Sequence, residues 1–166
     1  MKSRIAALLC LVAVVATSTI AEEGADAKKE KDKVDVTKLK CPMSGKPCKE
    51  DAIAELSGAK VYFCCPNCVK AFAKKEVQTK FATKVNHQLV ATKQAKQVKC
   101  PLSGGKTKDG TQVKIAGVEV AFCCNNCKGK AEAATGDAQL ELAFSSKAFK
   151  KGFELAKKET KKEEEK

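Results

Sequence analysis

Short stretches in which hydrophobic and polar residues alternate occur twice along the chain, each time just before a cluster of cysteines. In the first, Val61 and Phe63 alternate with Lys60 and Tyr62, and residues 52–56 form a second short stretch before a Ser-Gly pair. Alternation of this kind is typical of half-buried strands, and Ser-Gly is a turn sequence. The pattern therefore predicts a β-hairpin that ends at the cysteines.

A helix is predicted to follow this first cysteine cluster. Pro66 suits the first turn of a helix. Cys68, Val69 and Phe72 then recur at the spacing that places side chains on one helical face. The predicted order is thus a turn at Cys41, a hairpin, a cysteine cluster and a helix.

The second half of the chain shows the same order. Residues 112–115 and 118–122 alternate as two strands, and residues 124–134 predict a helix that ends at Gly136. Beyond it, alternation at Leu140, Leu142 and Phe144 predicts another strand. A last helix with Phe149 and Phe153 on one face is predicted after that strand.

Four cysteines of the first half have counterparts in the second half at one constant offset of 59 residues. A constant offset indicates a structural unit that occurs twice. We therefore predict an α+β fold of two small repeated modules, each a β-hairpin followed by a helix with a cysteine knuckle, the second extended by a strand and a helix. The paired positions are Cys41 and Cys100, Cys64 and Cys123, Cys65 and Cys124, and Cys68 and Cys127.

The composition predicts further segments on either side of the modules. A positively charged start, a short apolar run and a small-residue cleavage site at Ala21 are typical of an export signal. We predict a signal peptide at 1–21, a disordered charged leader at 22–40, the modules at 41–90 and 100–155, a linker at 91–99, and a Lys/Glu tail at 156–166. The mature protein is then expected to be periplasmic or secreted, with no stable membrane span.

The formal net charge of +12 comes almost entirely from lysine, since Arg4 is the only arginine. Proteins that read nucleic acids usually use arginine and stacking aromatic residues, so this charge does not favour nucleic-acid binding. The lysines between the modules offer a docking surface for an anionic component of the cell envelope. A solvated surface explains them more simply.

Each set of four cysteines suits a thiolate site for a soft metal. Zinc and copper(I) prefer thiolates, and structural zinc takes four ligands. The turn, the end of the strand and the first helical turn supply three sulfurs that can converge. Adjacent residues of a strand point to opposite faces, so the fourth needs a sharp bend. The predicted metal ligands are Cys41, Cys64, Cys68, Cys100, Cys123 and Cys127, with Cys65 and Cys124 as fourth ligands.

The sequence is also compatible with two other uses of these cysteines. Exported domains rich in cysteine are commonly cross-linked by disulfides, which would make this a structural or interaction protein. The mature chain has nine cysteines, so one of them, with Cys48 as the extra residue, would remain unpaired. The third hypothesis is a thiol redox protein, because Cys65 and Cys68 have the bare Cys-x-x-Cys spacing.

The sequence from Cys41-Pro-Met-Ser-Gly to Phe63-Cys64-Cys-Pro-Asn-Cys68 resembles a YHS domain, a relative of the TRASH-type, treble-clef-like metal-binding modules. The stretch from Cys100 to Cys127 resembles it again, less fully. The resemblance implies a small hairpin-plus-helix fold. It also implies a heavy-metal ligand role for the first, second and fourth cysteine of each set.

Two features depart from the family pattern in both halves. Ser44 and Ser103 stand where the family commonly has cysteine, and Cys65 and Cys124 stand where it usually has a small residue.

From the repeated cysteine motif and the export signal we expect a non-enzymatic, exported metal-binding protein that holds zinc or copper(I), with two ions per chain. His87, the only histidine, lies outside the motifs and is not expected to be a ligand.

Overall fold

The computed structural model describes residues 35–156, and the structural statements below concern these residues. The predicted signal peptide, most of the leader and the tail beyond residue 156 lie outside them. The described chain mixes helices with short antiparallel strand pairs, which agrees with the predicted α+β class. The elements are β1 (Ile53–Leu56), β2 (Ala59–Tyr62), α1 (Pro66–Phe72), α2 (Lys75–Lys80), α3 (Ala82–Ala91), β3 (Ala95–Gln97), β4 (Gln112–Ile115), β5 (Val118–Ala121), α4 (Asn125–Ala133), α5 (Gly136–Phe144), α6 (Ser146–Gly152) and β6 (Phe153–Leu155).

The first predicted hairpin is confirmed. Strands β1 and β2 pair antiparallel, and the two turn residues, Ser57 and Gly58, have φ angles of 52° and 81°. Two consecutive left-handed residues make the tight turn that matches the twist of paired strands. Phe63, just beyond β2, is fully buried and packs on Phe72 of α1 with ring centroids 5.0 Å apart. Helix α1 is thereby fixed against the hairpin.

The second predicted hairpin and its helix are also confirmed. Strands β4 and β5 pair antiparallel around Ala116 and Gly117, whose φ angles are 46° and 89°. Both strands begin and end 59 residues after those of the first hairpin. Phe122 is fully buried beyond β5, as Phe63 is beyond β2. Helix α4 then runs from Asn125 and ends before Ala134.

The strand predicted at Leu140, Leu142 and Phe144 is wrong, because these residues belong to helix α5. Leu140, Ala143 and Phe144 also have the three- and four-residue spacing of a helix, and a short alternation cannot distinguish the two. Gly136 does not end α4; it is the first residue of α5, with a φ angle of 58°.

The last predicted helix is correct only in part. Helix α6 ends at Gly152, and Phe153 begins strand β6, so Phe149 and Phe153 do not share a helix. Their rings nevertheless stack, with centroids 5.4 Å apart. The contact that the helical spacing predicted is therefore made across the junction between a helix and a strand.

The stretch expected to be a linker contains strand β3, which pairs antiparallel with β6. This pairing joins the middle of the chain to its last described residues, and Ala156 N–H also donates to the Gln94 carbonyl at 2.8 Å. The end of the predicted leader is ordered as well. Val36 is buried in a short 3-10 helix, and Lys40 forms a β-bridge with Pro47.

Glutamine side chains occupy the open edges of both hairpins. Gln88 accepts from the Tyr62 N–H at 2.8 Å and donates to its carbonyl at 3.0 Å, and Gln94 does the same at Lys60 at 2.6 and 2.7 Å. Gln97 makes the equivalent pair of bonds to β5 at 2.9 and 2.6 Å. The edge of a strand has unpaired backbone groups, and these amides satisfy them in place of another strand.

Gly152 is the position at which the packing leaves no room for a side chain. A Cβ atom there would lie 2.8 Å from Pro101 Cα and 2.9 Å from the Lys99 carbonyl oxygen. Both neighbours are backbone atoms. Gly129, inside α4, has nothing within 4 Å of an added Cβ. The two glycines therefore form a matched pair for substitution.

We expect Gly152→Ala to destabilise the fold by about 1–3 kcal/mol, because the methyl group forces the backbone of 99–101 to move. Gly129→Ala should instead stabilise it by about 0.5–1 kcal/mol, since alanine favours the helix. Chemical denaturation followed by circular dichroism measures both. Shifts in the same direction for the two variants would contradict this account of the packing at Gly152.

Candidate metal centres

Three cysteines from separate elements converge in the first half of the described chain. Cys41 lies in the turn before β1, Cys64 follows β2, and Cys68 lies in α1. Their sulfur atoms all lie within 4.8 Å of one another, and those of Cys64 and Cys68 are 3.8 Å apart. We call these three residues the first triad.

A tight turn holds the sulfur of Cys41 in place. The Cys41 N–H donates to the Lys46 carbonyl at 2.8 Å, and the Gly45 N–H donates back to the Cys41 carbonyl at 2.9 Å. Gly45 has a φ angle of 71°, which glycine adopts at little cost. Cys41 is only 1% exposed, so its sulfur forms the inner corner of the first triad.

The second triad consists of Cys100, Cys123 and Cys127, again within 4.8 Å of one another. The Cys123 and Cys127 sulfurs are 3.7 Å apart, and Cys100 is fully buried. The turn is held by the Cys100 N–H to the Gly105 carbonyl and the Gly104 N–H to the Cys100 carbonyl, both at 2.8 Å. The same backbone bonds therefore position the buried cysteine of each triad.

The two serines that stand where YHS domains commonly have cysteine contact the sulfurs. Ser44 Oγ lies 3.1 Å from Cys64 Sγ, and Ser103 Oγ lies 3.1 Å from Cys123 Sγ. A hydroxyl at this distance forms a hydrogen bond with a thiol or thiolate. The presence of both serines in equivalent Cys-Pro-x-Ser-Gly stretches was the only sequence pattern that pointed to this contact.

Cys65 and Cys124 lie beside the triads rather than within the sets that converge to 4.8 Å. Cys65 Sγ is 3.8 Å from Cys64 Sγ and 3.6 Å from Cys68 Sγ. Cys124 Sγ is 3.7 Å from Cys123 Sγ. Strand β2 ends at Tyr62, so Cys64 and Cys65 occupy the bend into α1 and do not alternate as strand neighbours would. The bend that a fourth ligand requires is therefore present.

The thiols of each set differ in acidity. Burial alone would raise the pKa of Cys41, but hydrogen bonds from the Ser44 hydroxyl and from backbone N–H groups lower that pKa to about 7. Burial, together with hydrogen bonds to Cys65 and Cys64, raises the pKa of Cys68 to about 12. The Cys68 backbone N–H and the neighbouring thiols lower the pKa of Cys65.

The second set shows the same division. Burial opposes ionisation of Cys100, yet hydrogen bonds from Ser103 lower its pKa to about 7. Burial and the neighbouring thiols raise the pKa of Cys127 to about 12, while the Cys127 backbone N–H and the neighbouring thiols lower the pKa of Cys124. Each set therefore combines a buried thiol of lowered pKa, a half-buried thiol of lowered pKa and a thiol of raised pKa.

The sulfur spacings suit a tetrahedral thiolate site. Four sulfurs placed about 2.3 Å from a zinc ion at tetrahedral angles lie about 3.8 Å from one another. The closest sulfur pairs of the two sets lie 3.6 to 3.8 Å apart. The close pairs therefore match edges of a tetrahedral site, whereas a four-sulfur site would need Cys65 and Cys124 to move toward the buried cysteine of each triad.

Cys48 and His87 lie outside both triads. Cys48 is 2% exposed, its thiol donates to the Tyr62 carbonyl at 3.3 Å, and burial raises its pKa to about 12. His87 donates from Nε2 to the Ala116 carbonyl at 3.1 Å, and burial lowers its pKa. Both residues make contacts that support the fold.

All nine cysteines between residues 35 and 156 are free thiols. Within that part of the chain, no helix has both the length and the apolar character needed to cross a bilayer. Comparison with protein-family models, with curated proteins and with solved structures finds no match for this chain. The resemblance to YHS domains consequently stays a prediction from the motif.

The environments of the thiols predict their order of reaction with an alkylating agent in the reduced, metal-free protein at neutral pH. Cys65 and Cys124, which are accessible and have lowered pKa values, should react first, because the thiolate is the nucleophile. Cys48 should react last, slower by on the order of 100-fold or more, given its burial and raised pKa. Timed labelling and peptide mass spectrometry measure the order, and the unfolded chain provides the control. Equal labelling rates for Cys48 and Cys65 in the folded protein would contradict it.

Proposed function

We propose that this is an exported metal-binding protein with two tandem modules, each of which holds one zinc or copper(I) ion. Its task would be to hold or buffer a soft transition metal outside the cytoplasm. The observation that carries the proposal is the pair of cysteine triads, each with its three sulfurs within 4.8 Å. Export is supported by the sequence pattern of residues 1–21.

The chemistry of the donors supports a soft metal. Thiolates are the preferred ligands of copper(I) and zinc, whereas calcium and magnesium prefer oxygen. In each triad the buried thiol already has a pKa of about 7, so it ionises readily when a cation arrives. Ser44 and Ser103 can continue to donate to bound thiolates, which would hold these ligands in orientation.

We propose Cys65 and Cys124 as the fourth ligands. Their sulfurs lie 3.6 to 3.8 Å from members of the adjacent triads, which matches an edge of the tetrahedron. They are also half-buried, whereas Cys41 and Cys100 are fully buried. The outer thiol would therefore be the one that reaches an incoming metal first.

A thiol–disulfide exchange function is the second candidate. It is favoured by the pair Cys65 and Cys68, whose sulfurs lie 3.6 Å apart and whose pKa values are shifted in opposite directions. An accessible thiol of lowered pKa beside a second thiol is typical of redox-active pairs. Metal and free thiols measured on one sample separate the two functions, because a Cys65–Cys68 disulfide would block metal binding at that site.

The metal proposal predicts two ions per full-length chain, measured by elemental mass spectrometry together with a free-thiol count. Cys64→Ser and Cys123→Ser should each remove one ion, and the double variant should remove both. Cys48→Ser is the matched control and should retain two ions, because its thiol points at a backbone carbonyl. Absence of metal from a fully reduced chain supplied with zinc and copper(I) would overturn the proposal.

The fourth-ligand assignment has its own test. In a Cys123→Ser background, where only the first centre holds an ion, Cys65→Ser should keep that ion but lower its sulfur coordination number by about one, as measured by X-ray absorption spectroscopy. Its affinity should fall by roughly tenfold or more, since even changes outside the ligand shell cost 10–100-fold. Asn67→Ala, in the same turn, provides the control. An unchanged sulfur number would exclude Cys65 while leaving the triad in place.

A further inference from the structure

A groove of about 710 Å³ lies along the face of α3, and Cys41 of the first triad is among the residues that line it. Its floor is the helical face of Lys84, His87 and Ala91, which spans about 10 Å. One wall is the segment from Lys38 to Gly45. The opposite wall combines the turn of the second hairpin with the first turns of α5. The groove is therefore built from both halves of the described chain.

The interior of the groove is mostly apolar. Leu39 and Pro42 line one wall, Val118 and Leu140 line the other, and Ala91 contributes to the floor. A volume of this size falls within the range of small-molecule sites and is too small for a folded partner. An elongated apolar body of small-molecule size would fill it.

The charged side chains around this interior are mainly positive. Four lysines and one aspartate line the groove. Lys84 pairs with Asp137 at 3.7 Å, and Lys38 pairs with Asp35 at 3.1 Å. Within residues 35–156, no carboxylate lies at ion-pair distance from Lys40. The positive charge at the rim of the groove would thus complement an acidic group on a bound ligand.

We propose that this groove binds a small amphipathic anion, namely an elongated aliphatic body that carries one carboxylate, as in a medium-chain fatty acid. The aliphatic part would lie along α3 between the two apolar walls. The carboxylate would lie beside Lys40, on the wall formed by residues 38–45. The proposed anion contacts use no sulfur, although Cys41 of the first triad also lines the groove.

The test is isothermal titration of the full chain, as purified, with dodecanoate below its micelle concentration. The cationic dodecyltrimethylammonium is the comparison ligand of the same chain length. We expect saturable binding of one dodecanoate per chain and much weaker binding of the cation. Binding of both ligands alike, or no saturable binding of dodecanoate, would overturn the proposal.

Two pairs of variants test whether dodecanoate binds in this groove. Lys40→Glu should weaken dodecanoate binding roughly tenfold, whereas Lys114→Glu, an exposed lysine on β4 with the same change in net charge, should leave it unchanged. Ala91→Phe should abolish binding by filling the floor, and Ala133→Phe, at an exposed position of α4, is its control. Thermal unfolding of each variant checks that the fold persists. Equal weakening by the two lysine variants would show non-specific attraction and overturn the site.

Discussion

The described structure depends on bringing a loop sulfur against two sulfurs at the junction of a strand and a helix. In the first triad the loop sulfur comes from Cys41 and the junction supplies Cys64 and Cys68. The hairpin between them spans the separation in sequence, and the left-handed glycine of the loop lets the backbone turn back on itself. Because the three sulfurs stay within 4.8 Å of one another only if these parts hold their positions, the hairpin, the loop and the helix must all keep their geometry together.

The aromatic residue just before each junction links the core to the site. Phe63 and Phe122 are fully buried, and each is followed directly by a triad cysteine. The Lys49 N–H donates to the Phe63 carbonyl at 2.8 Å, and the Lys108 N–H to the Phe122 carbonyl at 2.9 Å, so the loop is bonded to the same residue. Burial of one ring therefore positions the strand end and the loop at once. A bound ion would add to this, since metal binding of this kind contributes to folding.

The sequence was sufficient for the parts of the fold that are local. Both hairpins follow from alternation and from Ser57-Gly58 and Ala116-Gly117, and the grouping of six cysteines follows from their recurrence. It was insufficient at Leu140 to Phe144, where five residues fit a strand and a helix equally and the packing of Phe144 decides. The pairing of β3 with β6 and the glutamine bonds to the hairpin edges join residues far apart in sequence, and no local pattern encodes such contacts.

Equivalent parts of the two halves are held by different residues. The Phe63 N–H donates to the Ala52 carbonyl, but the Phe122 N–H donates to the hydroxyl of Thr111, the residue 59 positions after Ala52. The edge of β2 is bonded by Gln88, whereas β5 is bonded by Gln97. The sulfur spacings nevertheless agree to within 0.1 Å between Cys64–Cys68 and Cys123–Cys127. The hydrogen bonds that support each half can therefore differ while the sulfur positions stay the same. The shared features are the cysteine turn, the buried phenylalanine and the bend from strand to helix, and these three features position the sulfurs.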